Sequence, residues 1–298
     1  MTSDGGFRSV EGLVVQPGDD GVLRIVLDRP EKRNALDDVM VAGMIAAVEQ
    51  AGTDEAVRVI LITGRGDHFC GGFDIVGRNT ASAGTTGAGS VPEREAGSVP
   101  ERGTGAAPPR PRVGSIQRRL PAQAHRLIPL LATVQTPVVC VVRGWAAGIG
   151  LHLVLASDVT VAASDATFWE PFAERGFTPD SGGTWLLPRR IGDTRARAML
   201  LLGQAVHGTE AAEWGLVHTA VPVDRLDAEA TAVVERLATG PTVALGLSKW
   251  LLHASASSSL DDHLRDEAFA MELSSRTSDF REGMSALRER RAPRFEGR

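Results

Sequence analysis

Asp180 stands in the run Phe177-Thr-Pro-Asp-Ser-Gly-Gly-Thr-Trp-Leu-Leu-Pro188, a single carboxylate between a proline and two glycines. Proline fixes φ and glycine admits a close approach by chain or ligand, so the acid sits on a shaped turn. Two roles fit it. An Asp just ahead of an apolar run can accept the free N–H groups of a helix's first turn. The same acid can be a placed general base. Spacing alone leaves both open.

Two further segments combine glycines, a strand end and a following helix: Gly64-Arg-Gly-Asp-His-Phe-Cys-Gly-Gly-Phe-Asp-Ile75 and Gly144-Trp-Ala-Ala-Gly-Ile-Gly150. Such turns aim backbone N–H groups at one point, and a helix N-terminus adds a dipole that favours negative charge. Two donors converging on an oxygen make an oxyanion hole. Tight turns with glycine for steric reasons fit equally well. Gly148-Ile-Gly150 lacks the rest of a dinucleotide-binding fingerprint. Asp67 and His68 read as residues that shape the turn rather than react. The seven histidines show no metal-ligand spacing, so no metal and no separate cofactor is expected.

These segments need a scaffold, and the composition provides for one. The 298 residues permit one large domain or a domain with a small appendage. With 43% hydrophobic and 23% charged residues and a net charge of -5, the chain can bury a core and shows no broad basic field for nucleic acid or membrane. Lys32 and Lys249 are the only lysines, and tyrosine is absent, so no phenol takes part in any mechanism. Cys70 and Cys140 lie far apart in apolar surroundings and read as reduced core thiols. The N-terminus lacks a signal pattern, and no apolar run approaches the ~20 residues that span a bilayer, so a cytoplasmic protein is expected.

Leu13–Val15 and Val22–Leu27 read as a hairpin, and Ala35 to Ala51 has helical spacing. Val57–Thr63, Val138–Val142, Asp158–Ala162 and Val217–Pro222 read as strands. Helices are expected over 116–133 (with Pro121 and Pro129 as possible breaks), 148–156, 195–202 and 227–238, and the tail 243–290 is helical and charged. The alternation predicts an α/β fold. Between about residues 77 and 115 lies a Gly/Ala/Pro/Ser/Arg segment in which Ala-Gly-Ser-Val-Pro-Glu-Arg occurs at 88–94 and again at 96–102. It reads as a disordered surface insertion, since it has almost no large apolar side chains to offset ordering entropy.

Asp28-Arg-Pro-Glu-Lys-Arg-Asn-Ala-Leu36, Gly64-Arg-Gly66 with Phe69-Cys-Gly-Gly-Phe-Asp74, Gly144–Gly150 and Ala156-Ser-Asp158 together resemble the enoyl-CoA hydratase/isomerase (crotonase) superfamily. The resemblance covers nearly the whole chain. It implies a crotonase-like spiral of ββα units over 13–242, an N-terminal extension over 1–12, and a C-terminal helical region over 243–298 that forms homotrimers or hexamers. It also implies an acyl-CoA thioester as substrate, with coenzyme A present only as part of it. The thioester carbonyl would rest on the N–H groups of Phe73 and Ile149. Arg29, Arg33, Ala35, Leu36, Gly71 and Asp74 would lie along the CoA.

The departures narrow the expectation. Hydratases of this family use two glutamates to activate water; here those positions hold His152 and Phe172. Asp180, eight residues on, matches a position that carries a catalytic aspartate in several isomerases of the family. The runs Phe172–Arg189 and Ser278–Phe295 look most like the 1,2-epoxyphenylacetyl-CoA isomerase branch. One carboxylate can take a proton from C2 and return it at C4, provided the hole holds the dienolate charge. Burial beside Phe172, Trp169 and Phe177, the expected acyl pocket, would raise the acid toward a useful range. His152 is expected either to face that pocket as an acid/base or to be a hydrogen-bonded core histidine. Glu170 and Glu174 read as solvated or structural. A hydratase or thioester hydrolase using Asp180 and His152 is the competing enzyme reading, and a non-catalytic acyl-CoA-binding protein is the competing class.

Overall fold

The computed structural model describes residues 6–75 and 114–298, so the repeat-bearing stretch up to residue 113 lies outside the described residues. In chain order the elements begin with strands Leu13–Pro17 (β1) and Val22–Leu27 (β2), helix Asp38–Ala51 (α1) and strand Val59–Gly64 (β3). After residue 113 come helices Ser115–Arg119 (α2) and Ala124–Thr133 (α3), then strands Val138–Val142 (β4) and Trp145–Ala147 (β5). Helix Ile149–Ala156 (α4), strands Val159–Ala163 (β6) and Thr167–Trp169 (β7), and helices Gly183–Ile191 (α5) and Asp193–Leu202 (α6) follow. Strand Val206–His207 (β8), helix Gly208–Glu213 (α7) and strand Thr219–Val221 (β9) complete the sheets. Helices Val223–Ala238 (α8), Thr242–Ala254 (α9), Leu260–Ser274 (α10) and Ser278–Glu289 (α11) close the chain.

The hairpin is antiparallel, with Val15 opposite Ile25, and from β2 onward the main sheet is parallel in the order β1-β2-β3-β4-β6-β9. All five residues of β4 are buried, as expected of a strand covered on both faces. The helix expected from residue 35 starts at Asp38, because the Asp37 side chain accepts the Met40 N–H at 2.9 Å and caps it. The single helix expected over 116–133 is two helices. The break falls at Pro121, inside a 3-10 turn over Leu120–Ala122, whereas Pro129 is carried within α3. A second, three-stranded sheet in the order β5-β7-β8 has strands too short for side-chain alternation to announce them.

The glycine-rich segments leave the sheet at strand ends. The C-terminal ends of β3 and β4 point the same way, so the glycine-rich segments after them leave the sheet side by side. The last helices anchor to this core through Lys249, whose ammonium donates to the carbonyls of Leu131 at 2.9 Å and Thr136 at 3.3 Å and pairs with Asp158 at 2.7 Å. Burial pushes the Asp158 carboxyl up and the Lys249 ammonium down, and their mutual attraction opposes both shifts. The Asp158 side chain is still 28% exposed, so removing Lys249 leaves a carboxylate that water can partly solvate. Lys249→Met is expected to lower unfolding free energy by about 1 kcal/mol in chemical denaturation.

Cys70 and Cys140 are fully buried, and burial pushes both thiols up to about 12. At pH 8 neither is expected to react with a disulfide reagent such as Ellman's in the native protein, and both react once guanidinium unfolds it.

Candidate active site

Past β3 the backbone runs alongside the segment that follows β4. The Phe69 N–H donates to Arg143 O and the Cys70 N–H to Trp145 O, both at 2.8 Å, and the Ala147 N–H returns to Cys70 O at 2.9 Å. This short parallel contact sets residues 71–73 beside the start of α4. A Cβ on Gly150 would lie 2.7 Å from both the Cβ and the carbonyl of Cys70, so only glycine lets the helix come this close. Ile149 is the first residue of α4, where an N–H has no acceptor within its own helix. Gly72, Phe73, Gly148 and Ile149 line one wall of a cavity of about 800 Å³.

The turn over 29–36 braces the first of these segments. Asn34, fully buried, accepts the Arg29 N–H and donates to the carbonyls of Arg65 at 2.9 Å and His68 at 2.6 Å. Gly71 N–H donates to Arg33 O, Leu36 N–H to Gly72 O, and Asp74 N–H to Leu36 O. Arg29 and Lys32 both bind the Asp74 carboxylate, at 3.0 and 2.8 Å. The structure thus brings Arg29, Arg33, Ala35, Leu36, Gly71 and Asp74 together. Leu36 is fully buried, and Arg29 is tied to Asp37 and Asp74. The sequence quoted Asn34 in a motif without revealing that its amide staples its own turn to the loop over 65–68. Asp67 and His68 shape the same turn, His68 Nδ1 accepting the Trp145 N–H at 3.3 Å.

Asp180 lines the same cavity, with Phe172 and Phe177. It does not cap a helix: α5 begins after Gly182, which occupies the cap position at φ 93°, and no side chain accepts a capping bond there. Nor is it buried. Asp180 is exposed at the rim, because the turn through Pro179 carries it outward while Phe172 turns in. Phe172 packs edge-on against Phe177 at 5.4 Å. Trp169, expected in the acyl pocket, is not among the lining residues; its ring N–H donates to Gly203 O at 3.0 Å. Of the described residues that line the cavity, Asp180 is the one carboxylate.

His152 is a hydrogen-bonded core histidine. It is fully buried, stacked behind the Phe172 ring at 5.9 Å and 7°, and does not line the cavity. Its Nε2 lies 2.9 Å from Glu170 Oε1 and its Nδ1 2.5 Å from Ser181 Oγ. The expectation that it faces the acyl pocket does not hold, because the Phe172 ring stands between. Glu170 is not solvated; it is as buried as its partner, whereas Glu174 is exposed.

Several cavity residues went unread in the sequence. His125 of α3 lines the cavity and bonds the Asp180 carbonyl through Nε2 at 2.8 Å, while Arg119 and Arg175 supply positive charge to the same space. The irregular turns between these residues give no periodic signal by which they could have been found. Among the described residues no group of three or more His, Cys, Asp and Glu could hold a metal ion, and no helix is long and apolar enough to cross a membrane.

The enoyl-CoA hydratase/isomerase family profile matches residues 18–90 and 115–298, and the chain belongs to that family. It is 35% identical to the 1,2-epoxyphenylacetyl-CoA isomerase of Escherichia coli K12, over 93% of this chain and 96% of the relative. It is 29% identical to the 2,3-dehydroadipyl-CoA hydratase of the same organism, over 93% and 96%. The crystal structure of an enoyl-CoA hydratase from Bacillus anthracis superposes with a TM-score of 0.81 at 25% identity, covering 96% of this chain and all of that one. Fold and family are therefore those of crotonase-type acyl-CoA enzymes, with hydratases and an isomerase alike among the relatives.

The close approach at Gly150 is testable. Gly150→Ala is expected to keep its far-UV circular dichroism yet to lower the melting temperature by several degrees, since the added Cβ would press on Cys70 and force the helix away.

Proposed function

We propose that the protein is an enoyl-CoA isomerase that moves a double bond from the β,γ to the α,β position of an acyl-CoA. The observation that carries this reading is that Asp180 is the one carboxylate among the described residues lining the cavity that Phe73 and Ile149 also line. The thioester oxygen accepts from the N–H groups of those two residues. Asp180 removes a proton from C2. The charge delocalises through C2, C3 and C4 as a dienolate stabilised at the oxygen, and the protonated Asp180 delivers the proton to C4.

The places that hold two glutamates in hydratases hold a phenylalanine and a histidine walled off behind it, which removes the pair that would place water. A histidine locked to Glu170 and Ser181 at full burial also weakens the hydratase reading through Asp180 and His152. The 35% identity to an isomerase supports the same choice.

Asp74, held by Arg29 and Lys32, fixes the turn along which the CoA would lie, its phosphates facing Arg33. The C-terminal helices support a homo-oligomer, trimer or hexamer: Leu252, Leu260 and Leu287 are each more than 70% exposed, a costly display for a lone protomer.

Incubation of the enzyme with trans-3-hexenoyl-CoA in deuterated water, followed by mass spectrometry, tests the reading. The expected product is the 2-enoyl thioester. A 3-hydroxyacyl product at comparable rate would overturn the isomerase assignment. Asp180→Asn is expected to lower kcat by about 1000-fold with little change in substrate affinity.

A further inference from the structure

Three side chains that the proposed chemistry does not touch are joined end to end behind the cavity wall: Glu170 to His152, His152 to Ser181, and Ser181 to Asp180. We infer that Glu170, His152 and Ser181 form a buried positioning chain that directs the Ser181 hydroxyl onto the Asp180 carboxylate and so holds the base in register for proton transfer. The inference rests on Asp180 being that base.

Hydrogen accounting carries it. Ser181 is 1% exposed, and its hydroxyl has a single proton with two claimants, His152 Nδ1 at 2.5 Å and Asp180 Oδ1 at 3.3 Å. If Nδ1 is bare, it takes that proton and Asp180 loses its donor. If Nδ1 carries a hydrogen, it donates to Ser181 Oγ, and the hydroxyl turns to Asp180. Glu170 decides between the two. His152 and Glu170 are both fully buried, so the arrangement without net charge is the least costly. Imidazolium with carboxylate, and imidazole with a carboxylic acid whose proton lies on Oε1 toward Nε2, both place a hydrogen on Nδ1; an acid proton on Oε2 instead would have no acceptor among the described residues. The charge state of a buried pair thus sets the direction of a bond at the rim.

Two details indicate a built arrangement rather than a packing accident. A Cβ on Gly183 would stand 2.3 Å from His152 Nε2 and 2.9 Å from Glu170 Oε1, so the backbone there leaves room for the pair. Glu170 Oε2 has no hydrogen-bond partner among the described residues, a cost that an apolar residue at 170 would avoid. The Asp180 side of the chain is flanked by His125, which holds the Asp180 carbonyl, and by Arg119 and Arg175 across the same cavity. Phe172 separates His152 from the cavity, so these are positioning residues and do not touch substrate.

The experiment uses the full chain with trans-3-hexenoyl-CoA. Ser181→Ala is expected to lower kcat about 10-fold with KM unchanged, and Ser181→Thr, which restores the hydroxyl, to recover most of it. The double variant His152→Phe with Glu170→Leu replaces the pair by apolar groups, an exchange that is often neutral or favourable for stability. Its Tm is expected not to fall while its kcat falls part of the way to the Ser181→Ala level, because the hydroxyl keeps Asp180 as acceptor but loses the Nδ1 hydrogen that directs it, and adding Ser181→Ala should bring kcat to the Ser181→Ala value and no lower. A folded double variant with wild-type kcat, or with losses that multiply on adding Ser181→Ala, overturns the inference. Should the double variant not fold, nitrogen-15 NMR of the wild-type histidines decides: a hydrogen on His152 Nδ1 supports the chain, and a bare Nδ1 overturns it. Asp180→Asn separates the two assignments. If it stays fully active, the base reading itself falls; if it is inactive while Ser181→Ala behaves as wild type, only the positioning chain falls.

Discussion

Everything in this site depends on the close contact between the segment after β3 and the segment after β4. Three backbone hydrogen bonds hold residues 69–70 against 143–147, and the missing side chain of Gly150 lets α4 seat against Cys70. A peptide N–H is a fixed donor with little freedom to reorient once its neighbours are paired. That is why backbone groups suit an oxyanion hole: their cost was met on folding and not at the moment of reaction. The Asn34 amide extends the same logic outward, tying the turn over 29–36 to the carbonyls of Arg65 and His68.

The one carboxylate among the described cavity-lining residues stands instead on an irregular turn. Asp180 is exposed, and neither a helix cap nor a hydrophobic pocket constrains it. Its order comes from neighbours: His125 on its carbonyl and Ser181 on its carboxylate. The buried His152–Glu170 pair behind Phe172 is a poor stabilising device, because desolvating two ionisable groups offsets most of their attraction. Such a pair makes better sense as a source of direction than of stability. Under the proposed isomerase reading, backbone N–H groups would stabilise the charge and the Asp180 side chain would carry the proton.

The sequence carried much of this and missed a definable part. The β-hairpin, the buried β4 and the helical tail follow from alternation, burial-length apolar runs and helical spacing, which are local properties. The break at Pro121 was among the possible ones because proline acts on its own backbone. Strands β5, β7 and β8 were missed because two or three residues cannot display a period. Trp169 was misplaced in the acyl pocket, while of the two readings of Glu170, solvated or structural, only the structural one holds. Whether a side chain enters the cavity, the core or the surface depends on the direction of the chain at that point, and a strand end at residue 169 changes it within two residues.

What the sequence determined by itself was the family and the inventory: glycine-rich strand ends, a lone Asp180 on a shaped turn, and His152 and Phe172 where two glutamates would serve water. These are statements about residue type at a position along the chain, and they need no coordinates. Only the tertiary structure decided that Asp180 sits exposed at a cavity rim, that His152 is shut behind Phe172, and that Glu170 and Ser181 complete its hydrogen bonds. The reason is physical. Burial and hydrogen-bond partners at this site are set by residues as far as 55 positions apart that meet when the chain folds, and no local pattern encodes a meeting of that kind.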